Sequence, residues 1–207
     1  METKEFWQII WKNIWLIIII LVLFVAAAII MTVRKPAVYQ SSAAVEINRV
    51  QTLKQSQAPY FQYDNYYSVQ VAGTLAGNMV EWLASPSMVE RIYQKAGYSL
   101  PPQASLKDLA KIFTATKKLS NSNVVSVAYS SSDKVQSEKI INAVGDVMKE
   151  RIAEDNKNDN SAQSIVNVSQ PIVVEQPKQT ALNAITAGVV GLFLGLGISF
   201  VKDGLKR

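Results

Sequence analysis

The chain has 207 residues, 49% of them hydrophobic and 18% charged, with a formal net charge of +5 and neither histidine nor cysteine. Lacking those two residues, it has no common general base, no thiol nucleophile, no disulfide framework and almost no ligand set for zinc, copper or iron-sulfur, so no catalytic, cofactor or metal site is expected. The basicity is spread thinly, without a Lys/Arg run interleaved with aromatics, which argues against nucleic acid as a partner.

The hydrophobic average conceals two materials. Asn13 to Val33 and Gln179 to Val201 are uncharged stretches of 21 and 23 residues, and the remaining 163 residues carry all 37 charges. That remainder is about 23% charged, the usual figure for a soluble domain. The sequence therefore predicts a membrane protein with an α+β outer domain, a small sheet with helices on it, between two transmembrane helices. Residues 1–12 form a short N-terminus, 13–33 and 179–201 the spans, 34–178 the central domain and 202–207 a short tail.

In chain order, Trp7, Trp11 and Trp15 recur every four residues, as an interfacial aromatic belt does. The run Ile14 to Val33 is long enough to cross a bilayer once, and it continues past Ala26, Ala27 and Ala28 with no polar mature start, unlike a cleaved leader. Tyr39 to Asn48 alternates apolar and polar residues, a strand, and Arg49 to Pro59 reads as loop. A helix is expected from Tyr60 to Ala84 with an apolar stripe of Tyr63, Tyr67, Val71, Leu75, Met79 and Trp82, in which Gly73 and Gly77 weaken the helix or mark a close crossing.

Ser85-Pro86-Ser87 opens the next helix, with Ser87 and Glu90 at capping-box spacing, and Gly97 closes it. Ser105 to Asp108 opens a third helix ending near Lys118. Asn123 to Tyr129 is a second strand, and Asp133 with Gln136 starts a helix whose Ile140, Val144, Met148 and Ile152 share a face. Asp155 to Ser161 is a polar break. Ser164 to Val174 reads as a third strand interrupted by Pro171, hence an edge or bulge, and Pro177 stops it. The first and last strands adjoin the spans, so their pairing would place the sheet at the membrane.

In the second span, Ala184 and Gly188, and the series Ala187, Gly191, Gly195, are small residues four apart, a face on which another helix backbone can come close. This reading predicts that Gly191→Leu or Gly195→Leu weakens oligomerisation. Lys202 to Arg207 is net positive beside the membrane, so both termini are expected in the cytoplasm and the central domain outside it.

Chemistry is sparse. Ser131-Ser-Asp-Lys134 fits the Ser-x-x-Lys dyad, but its companion motifs Lys-Thr-Gly and Ser-Asp-Asn are absent and it lies at a strand-to-helix turn, where Ser and Asp cap helices. Glu154 and Asp155 border a polar loop among lysines and read as solvated. No Gly-x-x-x-x-Gly-Lys-Ser/Thr loop occurs. An enzyme has no support here.

The ordered set of features resembles the bacterial chain-length determinant family, the Wzz polysaccharide copolymerases. It comprises a first span followed by Pro36 and the strand Tyr39-x-Ser-x-Ala-x-Val-x-Ile47, Ser85-Pro-x-x-Val89 opening a helix, Val124-Val-Ser-Val127 before a helix carrying Asn142-Ala, and Pro171 with Pro177 before a glycine-rich second span. The resemblance implies a non-enzymatic homo-oligomer of the cell (inner) membrane that sets the length of O-antigen, capsule or exopolysaccharide. Its implied partners are the polysaccharide polymerase or export machinery and the growing glycan. The short middle is similar to the small adaptors that accompany a cytoplasmic tyrosine kinase, although the family's proline-rich segment before the second span is thin here, with only Pro171 and Pro177, and the tail after the span is short for that partnership. Lys107, Lys111, Lys117 and Lys118 would be available to acidic sugar, or would form a solvated helix face. A two-span channel or transporter subunit and an anchored binding module of a secretion complex are the alternatives; neither predicted span contains an ionisable residue, only Asn183, Thr186 and Ser199 being polar.

Overall fold

The computed structural model describes residues 3–51, 61–157 and 162–205, which divide into two compact units, 1–37 with 177–207 and 38–176. The first unit is a helical hairpin. Helix α1 (Thr3–Lys12) is followed by α2 (Ile14–Arg34) after a break at Asn13, and α7 (Thr180–Gly204) is the returning helix. Both α2 and α7 are long and apolar enough to cross a membrane. Trp7, Trp11 and Trp15 are exposed, as residues that meet lipid or its headgroups would be.

The second unit is a two-layer α+β domain. Its strands are β1 (Tyr39–Gln51), β2 (Phe113–Thr116), β3 (Val124–Ser131), β4 (Ala162–Val168) and β5 (Ile172–Glu175), all joined antiparallel. The order is β2-β3-β1-β4, with β5 also on β1. β1 is thus the centre of the sheet: Tyr39 to Glu46 pair with β3 on one side, while on the other Val45 to Gln51 pair with β4 and Tyr39 to Ser42 with β5.

Alternation decides the faces. Ala43, Val45, Ile47, Val125, Val127 and Tyr129 are buried beneath the helices, whereas Thr114, Thr116, Ser126 and Ser130 are exposed on the opposite face. The covering helices are α3 (Phe61–Leu83), α4 (Pro86–Ala96) and α6 (Lys134–Asn156). In α6, Ile140, Ile141, Val144, Val147, Met148 and Ile152 fill the core at three- and four-residue spacing. Gly145 brings the helix onto β4, since a Cβ there would lie 2.9 Å from Val168 Cγ1. The Tyr93 and Tyr129 hydroxyls bond each other at 3.0 Å inside the core, and burial with that bond holds the Tyr93 phenol well above its ordinary range. Ser41 Oγ is wholly buried and has no hydrogen-bond partner among the described residues.

Several local expectations are met. Gly97 ends α4 at φ 79°, in the left-handed region. Asp133 caps α6 by accepting from the Val135 and Gln136 amides. Pro171 stands in the gap between β4 and β5, where Ser169 replaces the ladder: Ala44 N–H donates to its hydroxyl and its own N–H to Ala44 O.

Other expectations are corrected. The loop from Arg49 starts later, because β1 runs through Gln51; residues 52–60, including Tyr60, lie outside the described set, as do 158–161 of the predicted polar break and the tail residues Lys206 and Arg207. α6 itself continues through Asn156. The third helix is a single turn, α5 (Leu106–Leu109), with a complete Ser105/Asp108 capping box, after which the chain enters β2 and pairs with β3. Ser85, not Ser87, stands at the N-cap position of α4, because Pro86 occupies its first turn, and it makes no side-chain capping bond; the Ser85 and Ser87 hydroxyls bond each other.

In α3 the most buried line is Ala72, Ala76, Met79 and Leu83, with Leu75, Val80 and Trp82 partly buried beside it. The small alanines let the helix axis approach the sheet, which displaces the larger residues to the flanks. The side chains of Tyr63 and Tyr67 belong to the segment not described. Arg151 lies over the Trp82 ring at 5.3 Å.

Candidate functional site

The span pair is the most distinctive assembly in the chain. α2 and α7 run antiparallel and meet along the small-residue side of α7. A Cβ at Gly191 would stand 3.0 Å from Phe24 Cβ and 3.2 Å from Leu21 Cα, and one at Gly195 would stand 3.1 Å from Ile17 Cα. Gly188 is looser, 3.5 Å from Val25 Cγ2, and Ala184 is half-buried one turn earlier. These distances are below or at ordinary van der Waals contact, so at Gly191 and Gly195 only glycine allows the two backbones this approach.

Polar groups are placed at the ends of the seam and each is used. Asn183 Nδ2 donates to Thr32 Oγ1 at 3.1 Å, a hydrogen bond between the spans at the ends nearer the central domain in the chain, and the Thr32 hydroxyl donates within α2 to Ala28 O. Lys178 Nζ donates to Val33 O at 2.7 Å nearby. Ser199, fully buried, bonds back to Gly195 O, and Asn13 bonds to Ile9 O where α1 breaks from α2. At the far end Lys12 Nζ meets Asp203 Oδ1 at 3.0 Å, with the Asp203 side chain only 13% exposed. α7 therefore continues past Val201, where the charge pattern had ended the span, and carries an acidic residue that Lys12 neutralises. The two residues are 191 apart in sequence, and no local pattern joins them.

Pro171 and Pro177 do different things. Pro171 breaks the edge strand between β4 and β5, and Pro177 begins the link from Gln176 to α7. Gln176 N–H still donates to Val38 O, which closes the domain behind β5.

The weak catalytic motif is a cap. Ser131 Oγ donates to Gln136 Oε1 at 2.6 Å and accepts from Asp133 N–H, which commits the hydroxyl to the α6 start. Glu154 and Asp155 are held in ion pairs with Arg91 and Arg151, and Glu150 with Arg91 and Lys95, bridging α4 to α6. The Lys95 and Arg91 bonds hold the Glu150 carboxyl below its ordinary range, and Ser105 does the same for Asp108. No group of three or more carboxylates able to hold a metal occurs among the described residues. Of the four lysines predicted on one helix face, only Lys107 lies in α5; Lys111 is in the turn after it, and Lys117 and Lys118 follow β2, where the Lys117 ammonium bonds Gly73 O and Ser120 O.

Residues 2–96, covering α1, α2, β1, α3 and α4, match the family described as Wzz, chain length determinant protein. No curated protein matches the chain. The matched stretch holds one wall of the span pair and the central strand of the sheet.

Proposed function

We propose that the chain is a non-enzymatic, oligomeric membrane scaffold that regulates the length or export of a surface polysaccharide. The observation that carries this reading is the chain-length determinant match over residues 2–96, which takes in the first span and the strand on which every other strand but β2 pairs. The architecture is consistent with work done by geometry: a tightly packed span pair, an α+β domain between the spans, and a serine motif already committed to capping.

The span pair also favours a scaffold over a conducting subunit. Asn13, Thr32, Asn183, Thr186 and Ser199 are all engaged in hydrogen bonds within the hairpin, and Asp203 in an ion pair, so they do not form a row of polar groups along an ion path. Lys202 beside the second span supports a cytoplasmic location for both ends. In this reading the partners are further copies of the chain, the polymerase or export machinery and the growing glycan.

Deletion of the gene, followed by gel analysis of surface glycan, tests the function. An altered length distribution or amount is expected. Unchanged length and amount would reject the reading.

A further inference from the structure

One face of α3 is polar where the remainder of the helix serves the core. Gln70, Thr74, Asn78 and Glu81, with Gly73 and Gly77 among them, recur at three- and four-residue spacing and form one wall of a cleft of about 510 Å³. The opposite wall is the turn between β2 and β3, with Lys117, Ser120 and Asn121. The volume lies within the range of small-molecule sites.

The cleft is built around two glycines. Glycine inside a helix costs about 1 kcal/mol relative to alanine, so a pair one turn apart calls for a reason. At Gly73 the reason is contact: a Cβ would stand 3.2 Å from Asn121 O, so the turn rests on the helix backbone. Lys117 straps the two walls together by donating to Gly73 O at 2.6 Å and Ser120 O at 2.9 Å. Contact does not explain Gly77. A Cβ there would meet only Lys117 Nζ, at 3.9 Å, so the missing side chain leaves open the space above the ammonium and its third N–H.

The lining selects the chemistry. The side-chain amides of Asn78 and Asn121, the Ser120 hydroxyl, the lone pairs of Thr74, whose hydrogen goes to Gln70 O, and the Glu81 carboxylate offer donors and acceptors side by side, as a ligand needs when each of its hydroxyls both gives and takes a hydrogen bond. An anion is disfavoured, because the single ammonium already holds two carbonyls and Glu81 stands in the same wall. An apolar ligand would find no large hydrophobic side chain on the lining. We infer that this cleft binds an uncharged, polyhydroxylated saccharide segment, an assignment that rests on the glycan-directed function proposed above. With no aromatic platform in the lining, a single cleft binds weakly and gains by repetition around an oligomer.

The test uses the full chain in lipid nanodiscs over an immobilised panel of neutral oligosaccharides, with uronic-acid oligosaccharides as charged counterparts. Neutral members should be retained, and Asn78→Ala and Gly77→Leu should each lower retention at least tenfold while the thermal melt of Asn78→Ala stays at the parent value. Retention of no neutral member, preference for the uronic acids, or undiminished retention by Asn78→Ala would overturn the assignment. So would variants that change crosslinked oligomer size and leave retention intact, since the cleft would then be a contact between copies. Gene deletion separates the two levels: glycan altered by deletion while the cleft tests fail sinks only the cleft, whereas glycan unchanged by deletion sinks the function itself.

Discussion

Gly195→Leu, compared with Gly197→Leu two residues further along α7, is the sharpest test of the span seam. At Gly195 even the first added carbon would lie 3.1 Å from Ile17 Cα, 3.2 Å from Ile17 Cγ2 and 3.4 Å from Ile17 O. Two of those atoms are backbone and cannot rotate away, so contact at 3.5 to 4.0 Å requires the helices to separate by about 0.4 Å or more. Three further carbons of leucine have no space at all on that side. Overpacking of this kind costs about 1–3 kcal/mol. A middle value of about 2 kcal/mol corresponds to roughly a 30-fold shift in the opening equilibrium. At Gly197 a Cβ meets nothing within 4 Å, so the same leucine should leave the equilibrium near the parent value. Steric trapping in micelles, with one tag on each span and monovalent streptavidin as the trap, measures the opening directly. If Gly195→Leu opens no more readily than the parent, or Gly197→Leu opens equally, the close-packed seam is not what holds the pair.

Because the chain has no cysteine, Phe24→Cys with Gly191→Cys introduces the only thiols; their Cβ atoms are 3.0 Å apart and need relax by less than 1 Å to reach disulfide geometry. Oxidation in native membranes should give a monomeric, internally crosslinked band, and a purely dimeric product would assign the glycine face to contacts between copies. Ser41→Ala removes a buried hydroxyl that has no partner and should raise the stability of the central domain by about 1 kcal/mol, read as a higher melting temperature. A fall in that temperature would mean that the hydroxyl is satisfied in solution. Acidification should destabilise the same domain: the Glu150 carboxyl is depressed below 4.5, so its contribution is present above that value and is lost as pH falls through the lower folded pKa. Glu150→Gln should flatten melting temperature against pH on the acid side of 4.5, and an unchanged slope would remove Glu150 from the account.

The spans, β1, α4 and α6 are legible in the sequence because their signals are local. A charge-free run, a two-residue alternation, a Pro86 start and Gly97 stop, and an Asp133 cap each act within one or two turns of chain. β2 is the failure: Ser105 and Asp108 do start a helix, and nothing local says that it stops after one turn. Phe113-Thr-Ala-Thr116 alternates, but four residues are too few to outweigh a helix already begun, and pairing with β3 settles the matter. The glycine face of the second span was visible as a spacing, whereas its partner Ile17 and the Lys12–Asp203 pair exist only once the chain has doubled back. The polar cleft is hidden for the same reason, because its walls come from separate segments, strapped together by a bond between Lys117 and Gly73, 44 residues apart, and only the odd pair Gly73 and Gly77 hints at it.

The central place of β1 also dictates an order of assembly during synthesis. Its partners lie at Val124–Ser131, Ala162–Val168 and Ile172–Glu175, so no strand of the sheet can pair with it early. At roughly 5–20 residues per second, about 6–25 s pass between the making of Gln51 and of Glu175. Through that interval Val45 and Ile47, later among the most deeply buried side chains, belong to an unpaired strand that follows α2 in sequence. Closure of the sheet must therefore wait for its last strands, and residues 39–51 are the part of it that waits longest.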